Sequence, residues 1–285
     1  MKTLKILCVF FALLTVYAYF HADLKKERKI FLDENYIDYT LPSMFTGPMS
    51  LEFKGVASDF LLIKFMSFVG KAVAKEEAFD DQKHKYMVKT LDTVTDLDPY
   101  FWEAYLFSQM FLSWGNGKYN DANKLLEKGQ KHSPDDYRYP YYIGFNYYYF
   151  LNDNINGAKY LMEASKLNGA PYYTASLAAR LSTYSSQHRV AIVFLKGMLK
   201  QTTNKRALKE FPVRIKTLEI MDDLEYKIKD YINIHKKQPG SLDALISAGI
   251  IDSIPDDPYG GEFILRENGS VYTTSNMLSV KKSGN

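Results

Sequence analysis

The residues able to do chemistry are few and stand apart. Five histidines, His21, His84, His132, His188 and His235, are scattered with no metal-ligand spacing between them. The lone cysteine, Cys8, lies inside an apolar run, where a thiol behaves as a small hydrophobe. With one cysteine there is no intramolecular disulfide, so redox compartment is not legible. There is no P-loop, no Gly-rich dinucleotide turn, no His-Glu-x-x-His and no nucleophile elbow. Asp256 and Asp257, in a Gly/Pro loop, offer hard oxygens for Ca²⁺, although carboxylates in such a loop also serve capping and turn formation. Asn268-Gly269-Ser270 has the form of a glycosylation acceptor, which a hairpin turn explains equally. No constellation supports catalysis. The chain reads as a non-enzymatic protein that needs no cofactor.

Its other chemistry is that of contact. Aromatic residues make up 15% of the chain and 23 of them are tyrosines. Tyrosine joins an apolar ring to a polar tip, which suits half-wet packing and interfaces. Tyr139-Pro-Tyr141-Tyr142 and Tyr147-Tyr-Tyr149 are too rich to bury on both sides of one helix, so some rings are expected to meet solvent or a partner. The 36 basic and 33 acidic residues are interspersed, with no basic stripe beyond the membrane-proximal one. That excludes nucleic acid as an expected partner.

Lys2 and Lys5 precede an apolar run from Ile6 to Phe20. A basic start followed by an apolar segment is the pattern of an export signal. Cleavage after Ala22 would place Phe20 at −3, a poor fit, so the run is expected to stay as a membrane anchor. Leu4 to Ala22 reaches the ~20 residues a span needs if Lys5 snorkels. Lys25, Lys26, Arg28 and Lys29 follow the run and by the positive-inside rule would hold the body in the cytoplasm. The export-signal pattern of Met1 to Lys5 points the other way. The reading adopted places the body outside the inner membrane.

The elements that would present the tyrosines recur. Tyr119-Asn-Asp-Ala122-Asn-Lys-Leu-Leu126-Glu-Lys-Gly129 is followed by Pro134, and Ile155-Asn-Gly-Ala158-Lys-Tyr-Leu-Met162-Glu-Ala-Ser165 by Pro171. Arg189-Val-Ala191-Ile-Val-Phe-Leu195 continues the series, and Met87-Val-Lys-Thr-Leu91 is an earlier degenerate copy ending Leu97-Asp98-Pro99. The anchors Met87, Ala122, Ala158 and Ala191 are spaced by 35, 36 and 33 residues. A small residue lets paired helices approach, and Leu126 shares a helical face with Ala122. The closing prolines stop each helix. First helices are expected over Tyr100 to Trp114, Tyr139 to Leu151 and Tyr172 to Tyr184, with turns at Gly115-Asn-Gly117 and Asn152-Asp-Asn. This period resembles the tetratricopeptide repeat of ~34 residues. The resemblance implies a mainly α fold, an α-solenoid of about four helix pairs over 55–204. It also implies a concave groove lined by the first helices, with Phe107, Phe111, Ile143, Tyr147, Tyr173, Arg180 and Tyr184 as the protein-binding residues.

Beyond Lys205 the repeat fades. Arg214 to His235 predicts a long amphipathic helix that Pro239-Gly240 breaks, and Ser241 caps a short helix over Leu242 to Ala248 that Gly249 closes. Glu262 to Arg266 and Ser270 to Thr274 flank Asn268-Gly269, a type I′ hairpin signal. Pro239-Gly-Ser-Leu-Asp-Ala-Leu, Ile254-Pro-Asp-Asp-Pro-Tyr-Gly-Gly and the Asn-Gly strand turn resemble the C-terminal region of major pseudopilins, relatives of type IV pilins in secretion machines. The prepilin N-terminal motif is absent. Most of the chain is similar to a group of bacterial envelope tetratricopeptide proteins of unsettled function that combine an anchor, a segment like Gly55-Val-Ala-Ser-Asp59-Phe-Leu-Leu-Ile-Lys64, repeats and this tail, which implies architecture and not activity.

The organisation expected is therefore an anchor over 1–22, a linker over 23–54, repeats over 55–204, and over 205–285 a long helix with a small α+β unit containing a β-hairpin. The function expected is a protein- or peptide-binding scaffold at the bacterial inner membrane, possible service to a pilus- or secretion-type assembly included. The alternative is a structural subunit that assembles through its C-terminal unit, with the repeats as spacer.

Overall fold

A computed structural model describes residues 2–34, 40–115, 117–184 and 186–278, with the side chains of the first helix described over 10–27. The first four residues of the apolar run, Cys8 among them, lie outside the described side chains, as does the turn residue Asn116. Among the described residues the fold is mainly helical, with twelve α-helices and one two-stranded antiparallel sheet. It falls into two compact units, 1–98 and 99–285.

The first unit holds α1 (Lys2–Glu34), α2 (Ser43–Met49), α3 (Lys54–Ala74) and α4 (Asp81–Leu97). Asp80 starts α4 by accepting from the Lys83 amide at 2.8 Å, which satisfies one of the donors a helix start leaves open. α3 packs on α4. Leu62, Phe65, Phe68, Val69 and Ala72 are buried on one side, and Tyr86, Met87, Leu91 and Val94 on the other. The Phe68 and Tyr86 rings meet edge to face at 4.7 Å, and the Ser58 hydroxyl donates to the Val94 carbonyl at 3.0 Å. Among the described residues no helix is long and apolar enough to cross a membrane.

The second unit opens with α5 (Trp102–Ser108), which runs on as a π-helical segment over Gln109–Trp114. Then come α6 (Tyr119–His132), α7 (Arg138–Tyr149), α8 (Asn154–Ser165), α9 (Tyr172–Tyr184) and α10 (His188–Gln201). Each packs on the next. The boundaries follow the expected alternation, and the anchors Ala122, Ala158 and Ala191 are all buried. Close approach is written in the residue types. A Cβ on Gly157 of α8 would lie 3.2 Å from the Gly144 carbonyl oxygen of α7, so small residues bring these two backbones together. Ala158 sits with Leu161, Ala178 and Leu181 in one apolar cluster. Ala158→Leu is expected to overpack it at a cost of ~1–3 kcal/mol. An unchanged melting temperature would show that the contact yields freely.

α11 (Lys205–His235) begins nine residues before the expected start. Asn204 caps it through the amides of Arg206 and Ala207, and the helix continues through Pro212. Ala207, Phe211, Ile215, Leu218 and Met221 keep one buried stripe across that proline. Packing along this face outweighs the hydrogen bond proline cannot donate. α12 (Asp243–Ser247) follows. Ser241 is not its cap residue, since its hydroxyl turns to the Asp243 carboxylate at 3.4 Å.

The sheet pairs β1 (Phe263–Leu265) with β2 (Val271–Thr273), Ile264 opposite Tyr272. Its turn is not type I′. The Gly269 amide donates to the Arg266 carbonyl at 2.9 Å, and only Gly269 takes a positive φ, of 81°. Asn268 stays in ordinary backbone while its side chain accepts from the Ser270 amide at 3.1 Å. That is a three-residue loop in which glycine supplies the single left-handed position. Asp257 organises the loop before β1. Its carboxylate accepts from the Tyr259 amide at 2.9 Å, the Gly261 amide at 3.2 Å and the Thr273 hydroxyl. The hairpin is held to the helices at Glu225 of α11. That carboxylate accepts from the Val271 amide at 3.0 Å, and the same oxygen meets His188 Nε2 of α10 at 2.9 Å.

Candidate protein-binding surface

The seven residues expected to line a groove go to different places. Ile143 is fully buried at 0% exposure, so it belongs to the core and cannot meet a ligand. Phe107 and Phe111 are half-buried and stack on each other at 5.9 Å. Tyr147 lies parallel to Tyr160 of α8 at 5.6 Å, and the Tyr160 hydroxyl reaches Glu127 at 3.4 Å. Burial and the neighbouring Glu127 carboxylate hold both tyrosine hydroxyls above their usual pKa. Tyr184 stacks on Tyr272 of β2 at 5.1 Å, and Arg180 of the same helix is half-buried. Tyr173 is 51% exposed. Phe111, Tyr147 and Tyr184 therefore belong to three separate local packings.

One first helix departs locally from regular spacing. Beyond Gln109 it is π-helical, and the wider turn rotates its remaining side chains, Phe111 and Trp114 among them, relative to a 3.6-residue count. Trp114, at the end of that segment, is 57% exposed and caps a cluster of rings. It stacks on Phe145 at 6.0 Å, meets Tyr149 at 5.3 Å and meets Phe150 edge-on at 5.0 Å, with Tyr119 stacked on Phe150 at 4.6 Å. Ring-on-ring contact between successive helices thus absorbs much of the aromatic excess.

Beneath the π segment lies a buried amide network. Gln109 and Asn146 exchange two hydrogen bonds of 2.7 Å, and the Asn146 amide also donates to Asn123 Oδ1 at 2.7 Å. The Ser113 hydroxyl adds a bond to Gln109 Oε1 at 3.3 Å. Three elements, the π segment, α6 and α7, are joined through polar side chains with no access to water.

One apolar groove lies elsewhere. Met162 of α8, Lys166 just past its end, and Val190, Val193, Phe194, Gly197 and Met198 of α10 line an apolar channel of about 660 Å³. A second hollow of about 440 Å³, with Ile155, Lys159 and Glu163, shares Met162, Lys166 and Val190 with it. Val193 stands 72% exposed within it. This surface is built by second helices, not first ones. Its signal was in the sequence: α10 buries Ala191, Ile192 and Leu195 on one face yet carries valines and a phenylalanine on the other. A helix apolar on both faces has more to cover than one neighbour can take. Lys159 and Lys166 are exposed along the channel, while Arg189 is paired to Asp222 of α11 at 3.0 Å.

Among the described residues no cluster of three or more His, Cys, Asp or Glu is placed to hold a metal. Asp257 is buried under its three donors and Asp256 points to solvent. Compared with known proteins, the chain matches no protein-family model, no curated protein and no solved structure.

Proposed function

We propose that this protein is a non-enzymatic scaffold of the bacterial envelope, a solenoid of tetratricopeptide-like helix pairs carried on an N-terminal membrane helix, with its body on the outer side of the inner membrane. The period of 33 to 36 residues between anchors supports the repeat, and so does the packing of each helix on its chain neighbours. The observation that carries the binding role is the exposed apolar channel between α8 and α10. Exposed apolar side chains gathered on one face, with Val190 and Val193 at least half exposed, suit a contact surface better than side chains scattered singly. Lys159 and Lys166 beside it favour a partner segment with apolar side chains flanked by acidic ones. The tetratricopeptide resemblance put the contact surface on first helices, and the proposal moves it to second helices.

A photo-crosslinking amino acid at Val193, in cells making the full chain, tests this. One discrete adduct is expected, identifiable by mass spectrometry. Val190→Glu should reduce its yield at least tenfold, equivalent to ~1.4 kcal/mol, with helix content unchanged because Val190 is half exposed. Absence of an adduct at Val193 would remove the channel from consideration.

A further inference from the structure

We infer that the first unit rests on a lipid surface through α2 and the outer face of α3, in addition to being anchored by α1. The inference builds on the membrane reading of α1 proposed above. α3 is apolar on two faces. Leu62, Phe65 and Phe68 face α4 and are buried. Val56, Phe60 and Ile63, spaced by four and three residues, share another face, and all are exposed, Phe60 by 66%. The segment ahead of α3 adds Met44, Phe45, Met49, Leu51 and Phe53, with Leu51 exposed by 73%. Eight large apolar side chains thus stand uncovered within 20 residues of chain. Soluble proteins scatter exposed apolar residues singly and do not concentrate them so.

Three features select a bilayer as the cover. First, the same unit contains α1, whose described apolar residues, Phe10 through Phe20, are exposed on all sides. A helix with no polar face is matched by hydrocarbon. Second, about 20 residues separate Phe20 from Leu41, so an inserted α1 keeps α2 and α3 within reach of the headgroups. Third, α3 carries Lys54, Lys64 and Lys71 against the single acid Asp59. Lys64 and Lys71 lie four and eleven residues beyond Phe60, at the edge of its face. Cations flanking an apolar face suit the boundary between acyl chains and anionic phosphates. With Asp59 and Lys64 in its length, α3 lies along the surface rather than through it, its apolar side sunk ~5–10 Å.

The test uses the full chain with Cys8→Ser and an environment-sensitive fluorophore on Phe60→Cys, reconstituted into phosphatidylcholine/phosphatidylglycerol vesicles. Lys85→Cys, on the exposed side of α4, is the control. The chain is expected to float with the vesicles. The dye at 60 should shift to the blue and be quenched severalfold more by brominated lipid than the dye at 85. If the chain floats while both dyes remain in water, the α3 inference fails and the anchor stands. A chain that does not float overturns the anchor and the inference together. Protection at 60 that follows protein concentration and ignores brominated lipid assigns the face to a second copy and overturns the lipid contact.

Discussion

Gly129→Ala is expected to lower the melting temperature of the second unit by about 10 °C, a large effect for one methyl group. Gly129 sits in α6 against two rings that are themselves fully buried, Tyr105 and Tyr139. A Cβ there would fall 2.2 Å from Tyr139 Cε1 and 2.9 Å from Tyr105 Cε1. Neither ring has room to withdraw. The two already meet edge to face at 5.2 Å, Trp102 lies edge-on to Tyr139 at 5.2 Å, and the Tyr105 hydroxyl donates to the Pro99 carbonyl at 3.0 Å. Burial also pushes the Tyr139 hydroxyl pKa up to about 12, the mark of a ring held away from water. Alanine gains helix propensity of ~1 kcal/mol over glycine, so a loss of ~3 kcal/mol net would report overpacking alone. Thermal unfolding followed by circular dichroism measures it. A second variant keeps the cause separable. Tyr139→Leu removes the obstructing ring edge, so the double variant should lose clearly less than the sum of the two singles. Additive losses would mean that the methyl group disturbs something other than these rings.

Asn146→Ala is expected to cost ~3 kcal/mol, read as a lowered urea midpoint. Asn146 is wholly inaccessible, it exchanges two hydrogen bonds with Gln109, and it is the donor to Asn123 Oδ1. Its removal leaves the Gln109 amide nitrogen and Asn123 Oδ1 without a partner in a buried place, Gln109 Oε1 keeping only the Ser113 hydroxyl. The contrast is the triple variant Gln109→Leu, Asn123→Leu and Asn146→Leu. Removing the three carboxamides together leaves only the Ser113 hydroxyl to find a new acceptor, so the triple should be more stable than the single. A single variant as stable as the parent would indicate that water enters beneath the π segment and substitutes for the lost amide.

How much of this was legible depended on the kind of signal. The helix pairs of the second unit were readable because Ala122, Ala158 and Ala191 repeat and Gly, Pro and Asn punctuate them. At such positions the backbone itself dictates residue type. Asn152, between α7 and α8, takes a φ of 52°, a conformation asparagine tolerates better than most. The π segment was not readable, since an inserted backbone position leaves no trace in composition. Nor was the helical course through Pro212, because proline's local rule is overridden by a buried stripe that only the tertiary structure reveals. Ile143 shows the limit for sites. Periodicity tells which residues share a face, but not which neighbour covers it. The channel on α10 was missed for the complementary reason: attention went to tyrosines, whereas the uncovered face is made of Val190, Val193 and Phe194.

The pattern of packing also sets an order of assembly. α7 and α8 are joined by a connection of four residues, 150–153, so their contact closes at small entropic cost. The same holds for each later neighbour along the chain, and local closure of this kind is fast. The hairpin is different. Val271 must find Glu225 across 46 residues, and the Met277 carbonyl must find Arg214 across 63. The acceptor that Val271 needs is set where α10 and α11 meet, because the same Glu225 oxygen meets His188. The chain thus emerges with its helices able to pair as they are made, while its last strands wait for a surface that earlier segments must first complete.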